Sequence, residues 1–367
     1  MIDRAAHSSA SKPAIFAGAA LCLAAAWLTF LAGCGGGTGQ PNAVLIILDT
    51  TRADALGVYG SQTARTPNLD RLARTGLLFR ETTAQNPYTM GSIATIFTSL
   101  GPEVHRIRSN SGFKLDEAAL TIAEVFRDAG YATAGFVSAF PVKSETGLAQ
   151  GFAVYDDDLS MEFPVYDPQF LPVQESRRGA ERRGDVTVER ALRWLEGSRP
   201  RNKPFFLMVH LFDPHQPYDP PPPYDEMFLG NPYAGEIAFS DALVGRILDQ
   251  LDERDLTSST FVAVVSDHGE AFGEHNEFTH GFLLYETTLH VPWILAGPGV
   301  PPGVVTGTTA LMDVAPTLLA ACGLTPPATS QGLDLLTPLS APGQEVWEAP
   351  SRGIYCDTYF PRLTHKW

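Results

Sequence analysis

Three apolar runs, each followed closely by acidic or histidine residues, constrain this chain most strongly. The runs occupy 43–48, 205–209 and 260–265. Continuous apolar runs of this length, rich in branched and aromatic residues, are typical of buried strands in a parallel sheet. The polar residues that follow them are Asp49, His210, Asp213, His215, Asp267 and His268. Because the carboxyl ends of parallel strands meet at one edge of a sheet, we expect these side chains to lie close together.

Helical patterns lie between and around these strands. They occupy 67–75, 120–129, 186–195, 233–253 and 312–322. Such alternation predicts an α/β fold with a mixed, mostly parallel central sheet covered by helices on both faces. The stretch 217–224 contains four consecutive prolines, so we expect a stiff surface loop there.

The charge balance excludes one broad class of function. The chain has 26 Lys and Arg residues against 41 Asp and Glu residues, a net charge of −15. Binding to a polyanion requires an excess of basic residues, so we predict no nucleic-acid partner. The sequence predicts no protein partner either.

The first 33 residues have the pattern of an export signal, with a weakly basic start and an apolar run at 14–32. This run is near the lower limit for a membrane-spanning helix, which is the alternative. Residues 31–34, Leu-Ala-Gly-Cys, resemble a bacterial lipobox, in which the cysteine becomes the acylated first residue. We therefore predict a lipid anchor on Cys34, a glycine-rich tether at 34–41, and a location in the bacterial cell envelope, facing the periplasm or the exterior.

The strand ends could bind a metal ion. Asp49, together with the Asp267-His268 pair, offers carboxylate and imidazole ligands for a divalent cation, which could polarise an ester and activate a hydroxyl. A single Asp after a strand more commonly caps a turn, and that alternative holds for each residue taken alone. Cys322 and Cys356 remain after the signal, and a disulfide between them is an open alternative to two free thiols.

Several ordered segments together resemble the sulfatases of the alkaline phosphatase superfamily. They are 47–54, 66–73, 130–134, 210–218, 266–270, 280–281 and 312–318. The resemblance covers about 42–340 and implies an alkaline-phosphatase-like α/β/α sandwich with a mostly parallel mixed sheet. By this resemblance we expect the remaining segment, 341–367, to lack most of the small carboxyl-terminal subdomain that the family normally has.

The resemblance assigns the metal site to Asp49, Asp267 and His268. It implies one divalent ion, Ca²⁺ by family, with Mn²⁺, Mg²⁺ or Zn²⁺ as alternatives. His215 and His280 become the substrate-facing, catalytic histidines. A second metal site formed by Asp213, His215 and His280 is the alternative role for these loop residues, and Arg52 either binds the ester anion or pairs with Asp54.

Thr89 occupies the position of the Cys or Ser that sulfatases oxidise to formylglycine, and so becomes the catalytic nucleophile. Gly91 and Ile93 replace the usual Pro and Arg of that motif, so we do not expect formylglycine. Threonine is the nucleophile in other branches of the superfamily, such as nucleotide pyrophosphatases and lipoteichoic acid synthases, which act on phosphate diesters. The alternatives are that Thr89 only caps a helix at 91–99, or that Ser92 replaces it.

The predicted function is a metal-dependent, sulfatase-like hydrolase of sulfate or phosphate esters. One alternative is a phosphodiesterase or phosphotransferase with a threonine nucleophile, acting on envelope or lipid-headgroup substrates. A second is a lipid-anchored binding protein that has kept the fold and lost activity.

Overall fold

A computed structural model describes residues 39–160, 180–339 and 344–359. Its described strands form a nine-stranded sheet in the order β4-β3-β5-β1-β6-β7-β2-β8-β9. The strands are β1 Asn42–Leu48, β2 Leu77–Thr83, β3 Ala132–Phe136, β4 Val154–Asp156, β5 Phe205–Leu211, β6 Thr260–Ser266, β7 His290–Ala296, β8 Gly303–Ala310 and β9 Val346–Glu348. Among these described strands, only β7 runs antiparallel to its two neighbours. The predicted mixed, mostly parallel sheet is therefore confirmed, and the three apolar runs are β1, β5 and β6.

Helices cover both faces of the sheet. They are α1 Pro67–Arg74, α2 Thr89–Thr98, α3 Pro102–His105, α4 Ile122–Asp128, α5 Gly184–Arg193, α6 Tyr224–Met227, α7 Pro232–Glu253, α8 Glu286–Leu289 and α9 Val314–Ala321. Alternate residues of β1 point to opposite faces, because successive side chains of a strand alternate. One set packs in a core with α2, α4 and α9, and the other packs with α1, α5 and α7. The result is the predicted α/β/α sandwich.

The helix boundaries differ from the predicted ones for local reasons. Thr121 and Glu124 form a reciprocal capping box, so α4 begins at Ile122 rather than at 120. The helix predicted at 91–99 begins at Thr89 and ends at Thr98, because Ser99 adopts a left-handed conformation with φ of 59°. A 3-10 turn at Leu311–Asp313 precedes α9.

Two further predictions can be compared with the described residues. The proline-rich stretch from 217 to 223 has neither helix nor strand, as expected, and α6 begins directly after it. Cys322 and Cys356 are both free thiols, so the disulfide alternative is wrong. None of the described helices has the length and apolar character needed to cross a membrane. The export signal and Cys34 lie outside the described residues.

Candidate active site

The site lies where β5, β1 and β6 end side by side. In the parallel register, Leu48 of β1 is paired with Leu211 of β5 and with Ser266 of β6. The backbone N–H of Asp49 continues this ladder by donating to the carbonyl of Leu211 at 2.9 Å. Asp49 and Asp267, each one residue beyond its strand, therefore emerge beside each other, as expected for carboxyl ends of parallel strands.

Asp49, His210 and Asp267 form a buried group whose potential ligand atoms all lie within 4.8 Å of one another. All three residues are fully buried. His210 Nε2 lies 3.0 Å from Asp49 Oδ2. Burial lowers the pKa of His210 to about 4, so the imidazole is neutral and donates from Nε2 to the carboxylate. The sequence gave His210 no role at the metal site, and the structure places it against Asp49.

His268 approaches the same two carboxylates from another side. Its Nε2 lies 3.9 Å from Asp49 Oδ1 and 3.5 Å from Asp267 Oδ2. These two oxygens are buried and have no hydrogen-bond partner among the described residues. The structure therefore brings together the predicted ligands Asp49, Asp267 and His268, while the already bonded Nε2 of His210 fits the role of orienting Asp49.

The chemistry of this group fits a divalent cation. Burial, followed by the charge of neighbouring Asp267, raises the pKa of Asp49 well above its ordinary value. Two buried carboxylates at this separation repel each other, and buried oxygens without hydrogen bonds are costly unless they coordinate a cation. Asp49 and Asp267 offer oxygen donors, and His268 Nε2, at 3.9 and 3.5 Å from those oxygens, offers a nitrogen donor beside them.

Thr89 lies beside this group at the first residue of α2. Its Oγ1 is 3.4 Å from His268 Nε2, and the residue is fully buried. Tyr88, not Thr89, is the residue that precedes the helix, and the side chain of Asn110 accepts the N–H of Met90 at 2.9 Å. The alternative that Thr89 is only a helix cap is therefore wrong. Ser92 Oγ donates to the carbonyl of Asn86 at 2.7 Å, which leaves Thr89 as the hydroxyl that meets the cluster.

A row of imidazoles extends from the cluster. The ring centroids of His268 and His280 are 4.4 Å apart, and those of His280 and His215 are 5.1 Å apart. Glu270 Oε1 accepts His280 Nδ1 at 3.1 Å, while Tyr218 donates to Glu270 Oε2 at 3.0 Å. Sequence reasoning gave Glu270 no role. Its position two residues after His268 was the available signal.

The guanidinium of Arg52 already has carboxylate partners. It forms ion pairs with Asp54 at 2.8 Å and with Glu274 at 2.7 Å, and it also donates to the carbonyl of Glu270. Of the two roles that the sequence left open, the structure shows the ion pair with Asp54. Binding of the ester anion by Arg52 stays a prediction.

Asp213, His215 and His280 do not come together as a group of metal-ligating atoms in the described part of the chain. Asp213 Oδ1 accepts the backbone N–H of Gly184 at 2.9 Å, and burial raises the pKa of Asp213 to about 6. In addition to Asp49, His210 and Asp267, the described part of the chain contains no group of three Asp, Glu, His or Cys residues close enough together to hold a metal ion. The loop that follows β5 therefore contributes His215 to the row of imidazoles rather than a second set of metal ligands.

The site is thus a buried cluster of carboxylates and histidines at the carboxyl edge of a mostly parallel sheet, beside a hydroxyl at a helix start, an arrangement suited to ester hydrolysis. The family model described as Sulfatase matches residues 41–324. The chain therefore belongs to the sulfatase family, and its enzymatic class is that of sulfatase-like ester hydrolases.

Curated relatives and solved structures agree with this family. The chain is 27% identical to an arylsulfatase of Clostridium perfringens, over 81% of the chain and 78% of that protein. It is 24% identical to human iduronate 2-sulfatase, over 71% of the chain and 60% of that protein. A structure of a protein bound to its substrate D-glucosamine-2-N,6-O-disulfate has a TM-score of 0.71 at 18% identity, covering 85% of this chain and 82% of the other.

A second solved structure shares the fold. The phosphonate monoester hydrolase of Agrobacterium radiobacter has a TM-score of 0.66 at 23% identity, covering 84% of this chain and 79% of the other. At these identities the two structural likenesses establish the fold of the chain.

Proposed function

We propose that this protein is a metal-dependent hydrolase of sulfate or phosphate esters with Thr89 as its nucleophile. One observation carries the proposal. The buried Oγ1 of Thr89 lies 3.4 Å from His268 Nε2, and the same nitrogen faces the two carboxylate oxygens of Asp49 and Asp267 that have no hydrogen-bond partner among the described residues. The proposed nucleophile and the predicted metal ligands therefore belong to one buried cluster of side chains.

Asp49, Asp267 and His268 would hold the cation, and His210 would orient Asp49 from behind. A bound divalent cation would polarise the ester oxygen and favour the deprotonated form of a nearby hydroxyl. The family implies Ca²⁺, which prefers oxygen ligands, whereas the imidazole of His268 favours Mn²⁺ or Zn²⁺. The identity of the ion is part of the proposal.

Side chains of the protein would carry out the steps of ester hydrolysis. Thr89 Oγ, at the positive end of the α2 dipole, attacks sulfur or phosphorus while its proton passes to solvent, and the bond to the leaving oxygen breaks. His280, whose Nδ1 is held by Glu270, or neighbouring His215, gives a proton to that oxygen. Water then cleaves the ester formed on Thr89, which releases sulfate or phosphate and restores the hydroxyl.

A second candidate follows from the identity of residue 89. A plain hydroxyl matches the threonine that attacks phosphorus in phosphodiesterase branches of the superfamily, so a phosphodiesterase or phosphotransferase is the principal alternative. Envelope polymers or lipid headgroups would be its substrates if Cys34 carries the predicted anchor. A lipid-sized mass increment on a peptide that begins at Cys34 is the expected result for the anchored protein.

The decisive experiment measures turnover of aryl sulfate, aryl phosphate and bis-aryl phosphate by chelator-treated and metal-reconstituted protein. We expect Thr89→Ala to lower kcat by at least about 10³-fold, as loss of a nucleophile does in other hydrolases. Thr89→Ser, which keeps the hydroxyl, should retain measurable activity. Ser92→Ala is the matched control and should resemble the wild type.

Three outcomes separate the hypotheses. Equal activity of Thr89→Ala and the wild type would show that another group is the nucleophile. Preference for bis-aryl phosphate would establish the phosphodiesterase alternative. Absence of bound metal together with no turnover of all three substrates would favour the binding protein that has lost activity.

A further inference from the structure

We propose that Arg108 binds the anionic oxygens of the substrate, and that Asp357 and Tyr359 hold its guanidinium in place. The inference rests on the proposed function, since it concerns the ester that Thr89 would attack. It adds a cationic residue that motif comparison did not select, and it gives the segment 353–359 a role in positioning that residue.

The backbone around Arg108 is bonded to both neighbours of Thr89. The hydroxyl of Tyr88 donates to the carbonyl of Ile107 at 2.9 Å. On the other side, Asn110 Oδ1 accepts the backbone N–H of Met90 at 2.9 Å. The segment that carries Arg108 is therefore held against the start of α2, whose first residue is Thr89.

The guanidinium of Arg108 is held by two neighbouring side chains, but one of its nitrogens lacks a hydrogen-bond partner among the described residues. It lies 3.8 Å from the ring centroid of Tyr359, a cation–π contact. Its Nη1 is 3.6 Å from Asp357 Oδ2, an ion pair too long for a hydrogen bond. The same Nη1 is buried without a hydrogen-bond partner among the described residues, although the side chain as a whole keeps 28% of its surface exposed.

An anionic ester has the acceptor oxygens that Arg108 Nη1 lacks. The planar guanidinium presents parallel N–H groups that match two oxygens of a sulfate or phosphate. Arg52, the cation selected from the sequence, already has carboxylate partners at 2.7 and 2.8 Å. Arg108 has one carboxylate, at 3.6 Å, so an incoming anion competes with a weaker partner there.

The segment 353–359, which holds Arg108, also contacts the loop before Thr89 and the loop that carries His280. Asp357 accepts Asn86 Nδ2 through both its carboxylate and its carbonyl, at 2.9 Å each, and its N–H donates to the carbonyl of Gln85 at 3.0 Å. The next residue, Thr358, donates to the carbonyl of Gly281, which follows His280. Asp357 therefore fixes Arg108 relative to both the nucleophile loop and the histidine loop, and acts as a positioning residue.

The test measures anion binding separately from turnover. Inorganic phosphate and sulfate are titrated calorimetrically into the full-length, metal-loaded Thr89→Ala protein, with and without Arg108→Gln. We expect Arg108→Gln to weaken binding of the preferred anion by at least about 10-fold, as loss of a charge-assisted contact does, and Arg108→Lys to weaken it less. In the Thr89-containing enzyme, the same changes should raise KM or the inhibition constant of phosphate. Arg193→Gln, at an exposed arginine of α5, is the matched control.

Asp357→Asn distinguishes positioning from simple support of the fold. We expect weaker anion binding with an unchanged metal affinity, whereas a purely structural role would lower only the melting temperature. Unchanged anion affinity in folded Arg108→Gln protein, or an Arg108→Lys protein that binds the anion more weakly than Arg108→Gln does, would overturn the inference. Because binding is measured without Thr89, failure of Thr89 as nucleophile is scored separately, from the activity of Thr89→Ala.

Discussion

Replacing Asp49 by asparagine should stabilise the metal-free protein while abolishing its response to metal. Asp49 and Asp267 are fully buried, and their ligand oxygens lie within 4.8 Å of each other. Two unit charges at that separation repel by about 3 kcal/mol at an effective dielectric constant of about 20. The Asp49→Asn substitution removes one of these charges without a large change in volume, so up to about that much repulsion disappears from the folded state.

Calorimetry of chelator-treated protein measures this effect. A gain of about 3 kcal/mol raises the melting temperature of a large domain by several degrees. Bound metal should stabilise the wild type, by about 2.7 kcal/mol at a free concentration about 100 times its Kd, and should leave Asp49→Asn unchanged. Activity of the variant should be lost.

Asp241 provides a matched control of opposite sign. Its buried carboxylate accepts the backbone N–H of Leu69 at 2.8 Å and that of Asn68 at 3.1 Å, and so caps α1 from α7. Asp241→Asn replaces the oxygen that accepts Asn68 Nδ2 at 2.9 Å by a donor and so should lower stability by about 1 kcal/mol. The reasoning is refuted if both variants destabilise the chelated protein equally, or if Asp49→Asn responds to metal as the wild type does.

Two further predictions follow from buried histidines. His210→Ala removes the hydrogen bond to Asp49 and should weaken metal binding by about 10- to 100-fold, measured by competition with a chelator. Burial, reinforced by Arg108, lowers the pKa of His105 to about 4, whereas its unfolded value is 6.5. The unfolded chain therefore binds the extra proton first, and up to about 3 kcal/mol of stability present above about pH 6.5 is lost as the pH falls to about 4. Urea unfolding at about pH 7 and about pH 4.5 should show a smaller pH effect in His105→Gln than in the wild type.

The fold was predictable because it depends on local patterns. Apolar runs without alternation indicated strands buried on both faces, and β1, β5 and β6 are buried along their whole lengths. The predicted helix ends were less accurate, because the actual ends depend on caps such as Thr121 and on the left-handed backbone of Ser99. The order of strands could not be derived from the runs alone, because crossover connections place β5 and β6 on either side of β1.

The site was predictable only where its residues follow recognisable segments. Asp49, Asp267 and His268 come directly after apolar runs, so their convergence followed from the rule for parallel strands. His210 lies inside its strand, where one polar residue among apolar neighbours was the sole signal. Asp357 lies beyond the segment that resembles sulfatases, and its contact with Asn86 depends on tertiary structure that no spacing in the sequence reveals.

The charges left unsatisfied around Thr89 have opposite signs, and this connects the two proposals. Asp49 and Asp267 offer anionic oxygens to a cation, whereas Arg108 offers a cationic nitrogen to an anion. A metal ion and an ester oxyanion bound together would satisfy both groups, while either one alone leaves the other unpaired. Each should therefore strengthen binding of the other by the same factor, since coupling between two sites is reciprocal. Unpaired charges of both signs favour the complex that holds both the metal ion and the ester over a complex with only one of them. The same unpaired charges lower the stability of the protein with neither bound.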